Sequence, residues 1–167
     1  WYRGPLGRKV VAAELAGVSQ DDYANLQETL DALQTRYRGS ERERLFARFD
    51  QATHATRMML DNGAAIQVAM AVILSGSLPG ADLPSFSEVK RAVESRRQAM
   101  RGMAGQQIYL NYLYTYQDLS NEEIDDYIEF ARTDSGARFF EVLSSGVYEV
   151  LNSHAERLDD VPLQAAL

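Results

Sequence analysis

The chain has 167 residues, 46% of them apolar and 25% charged, with a net charge of −7. That length and balance suit one globular domain with its own core, and the acidity opposes general nucleic-acid binding, because a polyanion is repelled at long range. There is no cysteine, which excludes disulfides, zinc–thiolate sites and thiol catalysis and leaves the compartment open.

Apolar spacing of three and four, with only four prolines and no β-branched alternation, predicts an all-α chain. The expected architecture is a compact multi-helix bundle of seven to eight helices in a single domain, residues 1–167. The chain opens at Trp1, not Met, and reads as if already inside a structure, which predicts a trimmed product whose export signal lay upstream. Pro5 suits the first turn of a helix running to about Gly17, since its missing N–H has no helical partner there. Ser19 with Asp22 signals the next start, and Tyr23, Leu26, Leu30, Leu33 and Tyr37 make its apolar stripe. Gly39 ends that helix.

Ser40 with Glu43 reads as a capping box for a helix carrying Leu45, Phe46, Phe49, Ala52, Met58 and Met59, with a kink or short break expected at Asp61-Asn62-Gly63. The apolar run Ala64–Leu74 is too short to span a bilayer and reads as a buried helix. Gly76 to Pro84 reads as a loop. Ser85 with Glu88 starts a helix through Val89, Ala92, Val93, Met100 and Met103, which Gly102 and Gly105 weaken before Gln106–Gln117 resumes. Ser120 with Glu123 caps a short helix, a turn follows at Thr133-Asp134, and a last helix carries Phe139, Phe140, Leu143, Val147, Leu151 and Leu158. Residues 159–167 read as a frayed tail.

Two segments match at a fixed offset, Trp1–Val18 with Phe130–Val147. Arg3 pairs with Arg132, Gly7 with Gly136, and Gly17-Val18 with Gly146-Val147. Four identities in eighteen positions exceed the roughly one expected from composition. In both, an aromatic residue (Trp1 or Phe130) precedes an N-cap at Gly4 or Thr133 and a favoured first helical residue, Pro5 or Asp134. A glycine three residues in lets the preceding chain pack against the turn, at about 1 kcal/mol of helix propensity. The corner therefore reads as a packing device; the alternative is an anion held at the helix start beside Arg3 or Arg132. Because Trp1 corresponds to Phe130, a helix ahead of Trp1 is expected.

Leu119-Ser120-Asn121-Glu122-Glu123-Ile124, then Phe130, Ser135-Gly136 and Phe139, resembles a family of exported bacterial helical proteins known only as a domain of unknown function. That family's pattern is a Leu-Ser/Thr-x-Glu-Glu helix start, an aromatic pair, a Ser-Pro-x-Gly corner and a hydrophobic helix. The segment 1–7 matches the corner with Gly4 in place of serine, whereas the copy in 119–151 lacks the proline. The resemblance covers about a third of the chain. It implies secretion to the periplasm or beyond in a Gram-negative bacterium, and it transfers no catalytic residues.

Several constellations bear on chemistry. Asp50 and His54 share a helix face, with no third metal ligand nearby, and read as a surface pair; His154 is distant. Glu122, Glu123, Asp125 and Asp126 suit the positive end of a helix dipole, lack calcium-loop spacing, and single out no catalytic pair. Tyr109, Tyr112 and Tyr116 share one face and read either as a ligand or partner surface or as a half-buried core with hydroxyls in water. Lys90, Arg97 and Arg101 form a basic stripe, extended by Arg91, Arg96, Arg42, Arg44 and Arg48. It is a solvated face or a site for an acidic partner or anionic lipid. No nucleophile elbow, phosphate loop or dinucleotide fingerprint occurs.

The leading expectation is a non-enzymatic protein-binding or envelope factor without cofactor or metal, using a face with tyrosine and arginine; a homodimer is compatible with it. The alternative is a carrier of an apolar ligand, its cavity lined by Met58, Met59, Met70, Met100 or Met103. An enzyme using Glu122–Asp126 ranks last.

Overall fold

The structure is a computed structural model and describes residues 1–18, 23–76 and 85–159. The expected cap at Ser19 and Asp22, the loop over 77–84 and the tail beyond Asp159 lie outside the described residues, as do the side chains of Tyr23, Val147, Leu151, His154 and Leu158.

Among the described residues the chain is all-α, with seven helices: α1 Pro5–Val18, α2 Tyr23–Tyr37, α3 Glu41–Thr53, α4 Ala55–Gly76, α5 Phe86–Thr115, α6 Asn121–Arg132 and α7 Asp134–Asp159. Local chemistry sets most of these limits. Gly39 takes a left-handed φ of 69° after α2, a conformation that costs a glycine nothing. Ser40 Oγ accepts from the Glu43 N–H at 3.4 Å. The Glu43 carboxylate reaches back past Ser40 to the Gly39 N–H at 2.5 Å, so the expected box is displaced by one residue. At Ser85–Glu88 both halves close, at 2.8 and 3.3 Å, and at Ser120–Glu123 at 2.8 and 3.1 Å.

The expected break at Asp61-Asn62-Gly63 is absent; α4 runs through it. The interruption falls at His54, whose φ of 57° is left-handed and whose N–H still bonds Asp50 O at 2.8 Å. An interior glycine weakens a helix by only about 1 kcal/mol, which burial on the same helix outweighs. Gly102 and Gly105 likewise leave α5 continuous.

Two compact units emerge, Trp1–His54 with Gly105–Phe140 and Ala55–Ala104 with Glu141–Leu167. In the first, α3 packs against α6 and α2, and Val10, Phe46, Leu113, Ile124 and Ile128 are almost wholly enclosed. Phe49 touches the rings of Tyr112, Tyr127 and Tyr116, with centroids at 5.0, 4.7 and 5.7 Å. The second unit buries smaller groups, Ala55, Ala65, Val68 and Ala104, and along α5 from Ser87 to Met103 only Val89, Val93 and Arg97 are even half-buried.

Candidate functional site

The tyrosine face is core. Tyr112 and Tyr116 are buried, and Tyr109 is half-buried with a hydroxyl that lacks a partner. Their hydroxyls do not reach water as expected. Tyr112 OH pairs with Thr53 Oγ1 at 3.2 Å, and Tyr116 OH donates to Glu14 Oε1 at 2.8 Å. Tyr127 OH donates to the same oxygen at 3.1 Å and lies 3.4 Å from Tyr2 OH. Burial pushes the phenols of Tyr112, Tyr116, Tyr127, Tyr2 and Tyr109 above their usual range. These bonds tie α5 to α3 through Tyr112 and Thr53, and tie Tyr116, just past the end of α5, and Tyr127 of α6 to Glu14 of α1. Sequence reading missed Glu14, although Gly7, Val10 and Glu14 fall on one face of α1, which marks it as an acid on a buried stripe.

The matched segments fold as two alike corners. Gly4 N–H bonds Trp1 O at 2.9 Å and Thr133 N–H bonds Phe130 O at 3.0 Å; one turn on, Arg8 bonds Gly4 O and Ala137 bonds Thr133 O. A Cβ on Gly7 would fall 2.5 Å from Trp1 O and from Tyr2 Cα. One on Gly136 would fall closer still to Phe130 O, and 2.9 Å from Ala131 Cα. These glycines are where the chain ahead of each helix presses on its first turn. Arg3 and Arg132 are exposed, and Arg132 is held by Glu129 at 3.1 Å.

The basic stripe is partly consumed. Arg97 is half-buried and bridges Asp61 of α4 and Glu94 of its own helix, the latter at 3.5 Å; Arg57 also reaches Asp61, at 3.6 Å. Lys90 and Arg101 stand exposed on the same face. Arg42, expected at the surface, is buried. It donates to Tyr116 O at 3.1 Å, to Leu119 O and to Asn121 Oδ1 at 3.2 Å, and stacks over Tyr37 at 5.0 Å. It thereby satisfies carbonyls left open where α5 ends. Arg48 pairs with Asp125, while Lys9 pairs with Glu123 at 2.6 Å and holds that carboxyl below its usual range. The acids of α6 therefore serve as anchors for α1 and α3. His54 caps α3 through its backbone, and no group of three metal-ligating side chains occurs among the described residues.

Exposed apolar groups concentrate elsewhere. Among the described residues, Trp1, Leu15 and Phe139 are the large ones in the first unit. In the second, Met59, Ile66, Met70 and Ile73 of α4 are 40, 46, 57 and 55% exposed, joined by Met100, Met103, Val142 and Leu143. The methionines expected to line a cavity thus face outward, apart from half-buried Met58. No described helix is long and apolar enough to cross a membrane. A depression along α2 is lined by Glu28, Thr29, Ala32, Leu33 and Arg36, all on one helix, which makes a groove and not an enclosure.

The chain matches no family model, no curated protein and no solved structure.

Proposed function

We propose that this chain is a non-enzymatic binding module whose contact face is the outer side of α4. The observation that carries the reading is the line of Met59, Ile66, Met70 and Ile73, large apolar groups left 40 to 57% exposed on one helix. Contiguous exposed apolar surface marks interaction sites in soluble proteins, and methionine adapts such a face to its partner. The first unit holds Tyr112, Tyr116, Tyr127, Glu14 and Arg42 in internal contacts, and is read as the support for that face. The resemblance to exported helical proteins adds a periplasmic or secreted setting, and the two corners are read as copies of one motif that stiffen the first unit.

The test is a photo-crosslinking residue placed at Met70 or Ile66 in the host cell, with Leu15, itself 66% exposed, as control. Discrete protein adducts from the α4 positions and none from Leu15 are expected. Equal or absent crosslinking at all three contradicts the reading. Fractionation of the full-length gene product tests the setting: recovery in the cytoplasm rejects export.

A further inference from the structure

Methionine is among the residue types most often shut inside a fold. In this chain the reverse holds. Of its five methionines, Met103 is 74% exposed, Met70 57%, and Met59 and Met100 40% each, while Met58 is half-buried. All lie in the second unit, on α4 and α5. The chain has no cysteine, so no thiol competes for an oxidant and its sulfur chemistry rests on thioethers alone.

That chemistry is a two-electron oxygen transfer. The sulfur lone pair attacks one oxygen of hydrogen peroxide, the O–O bond breaks, and the second oxygen leaves as water. Sulfur is oxidised to the sulfoxide and the peroxide is reduced. A methionine sulfoxide reductase reverses the step with two thiols, which become a disulfide while the oxygen leaves as water.

On α4 the change falls on the contact face. Met59 and Met70 are eleven residues apart, about three turns, and so share one side of the helix. Ile66 and Ile73 beside them offer no sulfur. Oxidation turns a flexible apolar side chain into a polar one, and a dry contact would have to strip that group of water without replacing its hydrogen bonds. The helix keeps its own packing, which rests on buried Ala55, Ala65 and Val68.

We infer that Met59, Met70, Met100 and Met103 are sites of reversible sulfoxidation by peroxides, and that oxidation of Met59 and Met70 switches off the α4 contact face. The second part rests on the reading of α4 as a contact face and names its regulation. Met58 is an internal control, since it adjoins Met59 in the chain and differs in exposure.

Hydrogen peroxide treatment of the whole purified chain, with each methionine followed by fragment-ion mass spectrometry, tests the sites. Sulfoxide should form first at Met103, next at Met70, and at least about fivefold more slowly at Met58 than at Met103. The helical circular dichroism spectrum should not change, and the two reductases specific for the two sulfoxide epimers should together restore every site. Equal rates at all five, Met58 ahead of Met59, or loss of helix in step with oxidation overturns the assignment.

The switch is tested with the photo-crosslinking residue at Ile66. The chain is oxidised, freed of peroxide and added to an extract of the host cell. Adducts should fall at least about fivefold and return after reductase treatment. The fall should persist in Met100→Leu/Met103→Leu, which leaves only the α4 methionines to oxidise. Adducts indifferent to oxidation, or a fall that Met100→Leu/Met103→Leu abolishes, overturns the switch. Adducts absent before any oxidation sink the contact-face reading and the switch with it, while the order of oxidation in the mass spectra still decides the sites.

Discussion

Trp1 and Phe130 lie face to face, their ring centroids 4.4 Å apart and their planes 13° from parallel. Each stands three residues ahead of a helix N-cap, and each lends its carbonyl to that cap. Tyr127 extends the stack, 4.9 Å from Trp1, and its hydroxyl reaches Glu14 on α1. The two corners are thus clamped to each other by residues at corresponding positions, with Lys9 to Glu123 as an outer tie.

The corner glycines should respond to alanine opposite in sign to Gly63 and Gly102, which have open space around them. Gly136→Ala forces a methyl into Phe130 O and should cost about 1–3 kcal/mol. Gly7→Ala drives a methyl against the backbone of Trp1 and Tyr2 and should fall in the same range. Gly63→Ala and Gly102→Ala meet nothing within 4 Å and should stabilise by about 0.5–1 kcal/mol. Urea midpoints of the four variants check this; equal effects would remove the close-packing explanation.

Arg42 holds three acceptors at the junction after α5. Arg42→Met should cost about 3 kcal/mol, since it strands buried carbonyls while keeping the bulk. Arg42→Lys should recover less than half, because a point charge cannot reproduce the planar fork. A loss below about 0.5 kcal/mol in either variant would show that water replaces the guanidinium.

Glu14 accepts from two tyrosines at once. Glu14→Leu should therefore destabilise more, by about 2 kcal/mol, than Tyr116→Phe at about 1 kcal/mol. The double variant should cost less than the sum, the signature of a shared network. Strict additivity in thermal or urea unfolding would mean that the hydroxyls are independently solvated.

The buried phenols fix the alkaline limit. Folded pKa values raised above the unfolded one give stability that is intact below about pH 10 and is lost as pH rises beyond it. With Tyr112, Tyr116 and Tyr127 all raised by burial, the fall should approach about 4 kcal/mol per pH unit. Tyrosinate absorbance followed with circular dichroism should show exposed tyrosines ionising first and the buried set only as helix is lost. Ionisation of all nine tyrosines near about pH 10 in a folded chain contradicts this.

Helix starts are legible in the sequence because their chemistry is local: serine hydroxyls at 40, 85 and 120 with glutamates three residues on. The corner glycines are legible for the same reason. The position of the break is not, because the left-handed φ falls on His54, where no glycine advertises it. Periodicity places Tyr112 and Tyr116 on one face, and Met59 and Met70 on another. It gives the stripe, not what covers it. The tyrosine stripe is covered by Phe46 and Phe49, contacts between elements far apart in the chain. Arg42 shares a basic run with Arg44 and Arg48, and only the arrival of the α5–α6 turn separates it from them.

The central claim is that the outer side of α4 is surface held for contact and not a misjudged core. Equilibrium urea unfolding of Met70→Glu tests it most directly. The account predicts a stability within about 0.5 kcal/mol of the parent, as for an exposed site. A loss of about 3 kcal/mol or more, as from a charge forced into a packed interior, would contradict it.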